Sequence, residues 1–156
     1  MPLHGLSPDH SGHQSSQWSM INTNSKHEIR NSKQFQMTKT QNLKPYDLED
    51  RTLNFAKEVR TFAKKLLKTM ANLEDGKQLI KASGSVGSNY IEANEALSKK
   101  DFLMRIKICR KEAKESRYWL RLIDTYEAKQ ESERKVLENE ATELMNIFGS
   151  ILRKSE

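Results

Sequence analysis

The chain has 156 residues, of which 27 are basic, 21 are acidic and 35% are hydrophobic. This length accommodates one hydrophobic core. The sequence contains no run of about 18 apolar residues, so we expect no membrane-spanning helix. The single cysteine, Cys109, excludes an intrachain disulfide and favours a reducing, cytoplasmic location. Because it has no CxxC partner, we expect Cys109 to be a small buried side chain.

Residues 1–44 differ in composition from the rest of the chain. They contain all four histidines, two of the three prolines and few apolar residues, with no helical or strand periodicity. Such a segment cannot bury enough apolar surface to offset its conformational entropy, so we predict a disordered leader. It also lacks the apolar run of a signal peptide. The leader holds five basic and two acidic groups, which leaves 22 basic and 19 acidic groups in residues 45–156.

Four apolar patterns with helical spacing follow the leader. They predict one all-α domain over residues 45–156, an antiparallel up-down-up-down four-helix bundle. The predicted helices cover residues 47–70, 75–97, 99–129 and 132 to near the C-terminus. Asp47 and Ser132 are the predicted N-caps of the first and fourth helices. The predicted core stripes include Met70, Leu97 and Val136, and Glu140 is the one polar member of the fourth stripe.

The second predicted helix contains a run of small residues from Ala82 to Ser88, including Gly84 and Gly87. Propensity alone would make this run a loop. The apolar residues on either side nevertheless share one helical face, so we predict a continuous helix whose small residues allow another helix to approach closely. A phosphate-binding loop is the alternative, but no strand precedes the run and no GxxxxGK[ST] pattern is present.

The third predicted helix separates its charges from its core residues. Its core stripe is Phe102, Ile106, Cys109, Ala113 and Leu120. The opposite arc, about 100° wide at 100° per residue, holds basic side chains and no acidic one. We call this arc the basic face: Lys100, Lys107, Arg110, Lys111, Lys114, Arg117 and Arg121. We predict that it binds nucleic-acid phosphates with little sequence selectivity. The alternative is an ordinary solvated helix surface.

A second apolar strip on the same helix lies beside the core stripe. We call it the apolar strip: Met104, Ile108, Trp119 and Leu122. A four-helix core would not fully cover it, so we predict that it is an oligomer interface. Glu112 and Glu115 project into or next to this strip, and a buried carboxylate needs a cation such as Arg105 or an arginine of a neighbouring subunit. In the alternative, Trp119 packs under a loop and the chain is a monomer.

Catalytic and metal sites find little support in the sequence. Glu92 and Glu95 stand three residues apart, like half of a carboxylate di-metal site, but such sites also need Glu-x-x-His pairs. Residues 45–156 contain no histidine. We therefore expect solvated glutamates, no cofactor and no enzymatic activity.

Three segments resemble a known family. YDLEDRT at residues 46–52, SVGSNYIEA at 85–93 and FLMRIKICRKEAKES at 102–116 are similar to the four helix bundle proteins, also called 23S ribosomal RNA intervening-sequence proteins. The resemblance covers about residues 45–154. It implies a non-enzymatic bundle that assembles as a ring, typically a pentamer. It also implies kinship with the accessory protein of diversity-generating retroelements, a basic pentamer associated with nucleic acid and a reverse transcriptase.

Two alternatives remain open from the sequence. The first is a protein-interaction scaffold that binds no nucleic acid and docks a protein partner, such as a reverse transcriptase, on the apolar strip or the basic face. The second concerns the leader, because members of this family usually begin shortly before the YDLE motif. Met37, or alternatively Met20, would then be the natural start and residues 1–36 upstream sequence, whereas the other interpretation is a weakly basic arm.

Overall fold

The structure, a computed structural model, describes residues 45–156 and contains four helices. They are α1 (Pro45–Lys64), α2 (Met70–Asn94), α3 (Lys99–Leu122) and α4 (Ala128–Ser155). No strand occurs in this part of the chain, so the predicted all-α class is confirmed. The predicted disorder of residues 1–44 lies outside the described residues. None of the four helices is long and apolar enough to cross a membrane.

The four helices form an antiparallel bundle. α1 packs against α2 and α4, and α3 packs against the same two helices from the other side. Near the start of α1, Arg51 binds Glu140 of α4, whereas just beyond its end Lys65 binds Glu133. Later residues of α1 therefore contact earlier residues of α4, so the two helices run antiparallel. This register is that of the predicted up-down-up-down topology.

Large apolar side chains from all four helices fill the centre of the bundle. Phe55, Tyr90, Ile106 and Phe148 are at most 1% exposed. The rings of Tyr90 and Phe148 meet with centroids 5.8 Å apart and planes inclined at 56°. Each such side chain contributes about 1.5–3 kcal/mol by leaving water, so the core is the main source of stability.

One ion pair and one close packing contact tie α1 to its neighbours. Glu140, the polar member of the α4 stripe, accepts hydrogen bonds from Arg51 Nε at 2.6 Å and Arg51 Nη2 at 2.9 Å. On the other side of α1, Thr52 is completely buried and faces Gly87 of α2. A Cβ at Gly87 would lie 3.0 Å from Thr52 Oγ1. The small residues of α2 therefore lie within a helix and permit close packing, as predicted.

Both predicted N-caps are wrong. α1 begins at Pro45, so Asp47 lies within its first turn. Proline suits the first position of a helix because it lacks the N–H group that would have no partner there. α4 begins at Ala128, so Ser132 lies inside the helix and its hydroxyl donates to the Ala128 carbonyl at 3.1 Å.

The first loop starts earlier than the apolar spacing predicts. α1 ends at Lys64 and not near residue 70, and α2 begins at Met70 and not at residue 75. Thr69 caps α2, because its hydroxyl accepts a hydrogen bond from the Asn72 amide at 3.1 Å. The buried Asn72 side chain donates to the carbonyls of Leu67 and Asp124, so it joins this loop to the α3–α4 loop.

That second loop also departs from the prediction. α3 ends at Leu122 and not near residue 129, because the Asp124 amide donates to Asn72 Oδ1 at 3.0 Å and leaves the helical path. Met70, Leu97 and Val136 were predicted as core residues, but they are 85%, 99% and 63% exposed. Met70 and Leu97 lie at or beyond helix ends, where a helical period no longer describes the direction of the side chain.

Candidate nucleic-acid interface

The basic face is positioned by the opposite side of α3. Ser98 caps this helix, since its hydroxyl accepts from the Asp101 amide at 3.1 Å. Ile106, Cys109, Ala113 and Leu120 are completely buried against the bundle, which fixes the rotation of α3 about its axis. Arg117 of the basic face is half-buried and the other six members are exposed.

The seven side chains of the basic face differ in their ion pairs. Arg121 Nε binds Glu138 Oε1 of α4 at 2.6 Å, and Lys111 lies 3.8 Å from Glu112. The remaining five have no carboxylate within ion-pair distance among residues 45–156: Lys100, Lys107, Arg110, Lys114 and Arg117. The positive charge of the basic face is therefore uncompensated from the start of α3 to Arg117, apart from the weak pair of Lys111 with Glu112, and it is neutralised at Arg121.

A network of two glutamates and two arginines accounts for that neutralisation. Arg134 of α4 binds both Glu131 and Glu138, and Glu138 also accepts from Arg121. Hydrogen bonds from Arg134 and Thr125 hold the pKa of Glu131 at about 2, well below its usual value. The charge of Arg121 is thus balanced, which limits the uncompensated part of the basic face to the residues before Arg121.

The apolar strip lies on the side of α3 that borders α2. Met104 and Leu122 are 49% and 44% exposed, whereas Ile108 and Trp119 are half-buried. Trp119 packs against the core and makes an edge contact with Tyr118, with ring centroids 5.0 Å apart. The strip is thus open at its two ends and anchored at Trp119, which is compatible with both interpretations made from the sequence.

The charges beside the apolar strip are arranged differently from the sequence expectation. Arg105 donates to Asn89 Oδ1 of α2 at 3.2 Å, so it does not serve as the cation for Glu112. Burial raises the pKa of Glu112, the nearby Glu115 raises it further, and Lys111 only partly offsets this. Glu115 itself is exposed. Glu112 is therefore a half-buried carboxylate whose ion-pair partner among residues 45–156 is Lys111, and the charge of Lys81 also lowers its pKa.

A broad cleft at the N-terminal end of α3 connects the two surfaces. It has a volume of about 780 Å³ and is lined by Lys100 and Lys107 of the basic face and by Met104 of the apolar strip. Asp101 is the acidic residue in its lining. Cations and apolar groups thus meet at this end of the helix.

Glu92, Glu95 and Cys109, the remaining candidates for metal binding or catalysis, lie outside the basic face. Glu92 and Glu95 are exposed, and within residues 45–156 no three His, Cys, Asp or Glu side chains are grouped to hold a metal ion. Cys109 is completely buried, as predicted, and burial raises the pKa of its thiol to about 12. A thiol in this environment is a poor nucleophile at neutral pH.

The sequence prediction of the basic face omitted one cation. Arg153, near the end of α4, lies beside Arg110 over Gly149. A cation near the C-terminus of a helix is also favoured by the helix dipole. The residue spacing within α3 or within α4 does not predict that Arg110 and Arg153 are neighbours. The register between the two helices brings them together.

Comparisons with known proteins agree with this architecture. A family model described as "23S rRNA-intervening sequence protein" matches residues 45–150. A solved structure from Bacteroides thetaiotaomicron, a protein of unknown function from the S23 ribosomal protein family, is 28% identical with a TM-score of 0.61. The match covers 70% of this chain and 97% of that one. No curated protein matches. The described bundle and the family match lead to one assignment: the chain belongs to the 23S rRNA-intervening sequence protein family.

Proposed function

We propose that this chain is a non-catalytic, cytoplasmic bundle that assembles into a homo-oligomer and binds RNA or DNA through the basic face of α3. The observation that carries this proposal is the row of five cations on α3 without a carboxylate partner in residues 45–156. Elsewhere on the bundle, Arg51, Lys65 and Arg134 each pair with glutamate. Uncompensated cations on one face create the local potential that attracts a phosphate chain.

Assembly would strengthen this binding. The exposed ends of the apolar strip and the poorly paired Glu112 support an interface at which a second subunit covers Met104 and Leu122 and supplies a cation. A ring of five subunits is what the family resemblance implies. Such a ring would present five copies of the basic face, and the copies would bind one nucleic acid with greater avidity and no new kind of contact.

The first experiment measures mass and bound nucleic acid together. Light scattering on a sizing column, with absorbance at 260 and 280 nm, is expected to show an oligomer whose 260 nm excess is removed by high salt. If about five phosphate contacts form with a single strand, affinity should fall roughly 100-fold between about 50 and about 200 mM salt. A monomer would refute the assembly.

Charge reversal separates the proposal from the scaffold alternative. Glutamate at Lys107, Arg110, Lys111 and Lys114 should abolish RNA binding and leave the oligomer intact. A matched control reverses Lys57, Lys64, Lys68 and Lys77, four exposed lysines on α1, α2 and the loop between them. If the wild-type protein binds neither RNA nor DNA at low salt, the nucleic-acid proposal is wrong and the protein scaffold is the better interpretation.

A further inference from the structure

Two arginines from different helices converge on Gly149. This glycine is buried in α4, where α3 crosses it. A Cβ built at Gly149 would lie 3.3 Å from Arg153 Nη1 and 3.6 Å from Arg110 Nε, with Arg110 Cζ at 3.8 Å. These atoms are the nearest neighbours of that position. The two guanidinium groups therefore cover the same bare stretch of helix backbone and lie close to one another.

Neither guanidinium has a carboxylate partner within residues 45–156. Arg153 Nη2 lies 3.0 Å from Ser150 Oγ, which is a neutral partner. Two adjacent cations repel each other, and this repulsion is relieved when an anion binds between them. The C-terminal end of the α4 dipole, which favours positive charge, helps to hold both arginines at this position.

A similar arrangement on the α1–α2 side of the bundle shows what is particular about Gly149. There Arg60 covers Gly84, with Nη2 3.3 Å from the position of a Cβ. Only one arginine is present, and its Nη1 donates to the Ala56 carbonyl at 3.0 Å. An arginine over a glycine is thus a packing solution in both places, whereas a pair of unneutralised arginines occurs only at Gly149 among the described glycines.

We infer that Arg110 and Arg153 form a two-arginine clamp, over Gly149, for one phosphate group of a nucleic-acid backbone. Guanidinium groups present planar N–H pairs that match phosphate oxygens, and two of them can bind different oxygens of the same group. The clamp extends the basic face from α3 across the seam onto α4. Lys107 and Lys114 lie on either side of Arg110 along α3 and would continue the phosphate track. This inference rests on the proposed function and assigns its anchoring phosphate site.

The test compares three variants on a fluorescent single-stranded RNA of mixed sequence. Arg153→Gln removes one half of the clamp, and we expect about tenfold weaker binding and a salt slope reduced by about 0.7. Gly149→Met leaves the net charge unchanged but fills the space over which the guanidiniums meet, so binding should also weaken severalfold. Arg60→Gln removes the same charge as Arg153→Gln from the single-arginine site, and we expect it to bind as the wild type does. Circular dichroism and unfolding temperature identify any variant that fails to fold.

The outcomes separate the clamp from the general basic face. If Arg153→Gln and Gly149→Met bind like the wild type while Lys107→Gln with Lys114→Gln binds more weakly, the clamp is wrong and the proposed function stands. An equal loss from Arg153→Gln and Arg60→Gln would also overturn the clamp, because net charge alone would explain it. If the wild-type protein binds no RNA or DNA, both the clamp and the proposed function are wrong.

Discussion

Replacing Gly87 by alanine tests the close approach of α1 and α2. The new Cβ would lie 3.0 Å from Thr52 Oγ1 and 3.3 Å from Thr52 Cβ. Thr52 cannot rotate away freely, because it is completely buried and its hydroxyl lies 2.9 Å from the carbonyl oxygens of Leu48 and Glu49. The nearby backbone carbon of Thr52, at 3.7 Å, limits any other adjustment. Either the Thr52 side chain or the two helices must therefore shift by a few tenths of an ångström to accept the methyl group.

Two opposing terms decide the size of the effect. Alanine in place of glycine inside a helix favours folding by about 0.5–1 kcal/mol. Overpacking a well-filled contact costs about 1–3 kcal/mol. We therefore expect Gly87→Ala to lower the free energy of unfolding by about 1 kcal/mol, within a range of about 0–2.5 kcal/mol. Gly76→Ala, in the same helix, is the matched control: a Cβ there meets no atom within 4 Å, so stability should rise by about 0.5–1 kcal/mol.

Urea unfolding at one fixed protein concentration measures both variants, since stability of an oligomer depends on concentration. Thr52→Ala removes the atom nearest to the new methyl group. In that background Gly87→Ala should cost about 1 kcal/mol less than it does in the wild type. If Gly87→Ala is as stabilising as Gly76→Ala, the approach of the helices does not constrain residue 87 and the reasoning fails.

Three further predictions follow from single side chains. Because burial raises the pKa of Cys109 to about 12, native protein at neutral pH should react with a thiol reagent only at the rate at which it unfolds, and fast modification without urea would contradict this. Because burial raises the pKa of Glu112, its ionised form is disfavoured in a single subunit. At a protein concentration low enough to keep the chain monomeric, Glu112→Gln should raise the unfolding temperature at neutral pH and have no effect in acid, and an unchanged temperature would argue against the burial. The pKa of Glu131 is lowered to about 2, so its pairing with Arg134 stabilises the fold above pH 4.5, and this stabilisation is lost as pH falls towards 2. In Glu131→Gln, the free energy of unfolding should therefore fall less between pH 4.5 and pH 2 than it does in the wild type.

The candidate interface was predicted in part. The seven basic residues of α3 share one face, six of them exposed, because Ile106, Cys109, Ala113 and Leu120 fix the opposite face. Both sets can be identified from the period of a single helix. The ion pair of Arg121 with Glu138 could not be predicted in that way. The hydrogen bond of Arg105 to the neutral Asn89 and the position of Arg153 beside Arg110 could not be predicted from that period either. Each of these depends on the register between two helices, which sequence spacing within one helix does not contain.

The amino-acid sequence by itself determined the number of helices, their class, the helical nature of the run from Ala82 to Ser88 and the family resemblance. These properties follow from local periodicity and from motifs that are contiguous in the chain. The tertiary structure decided where the helices end. Asn72 accepts and donates hydrogen bonds across 52 residues and thereby stops α3 at Leu122, although the apolar period continues beyond it. A buried amide must satisfy its hydrogen bonds wherever the fold supplies partners, and only the packed bundle places the two loops within its reach.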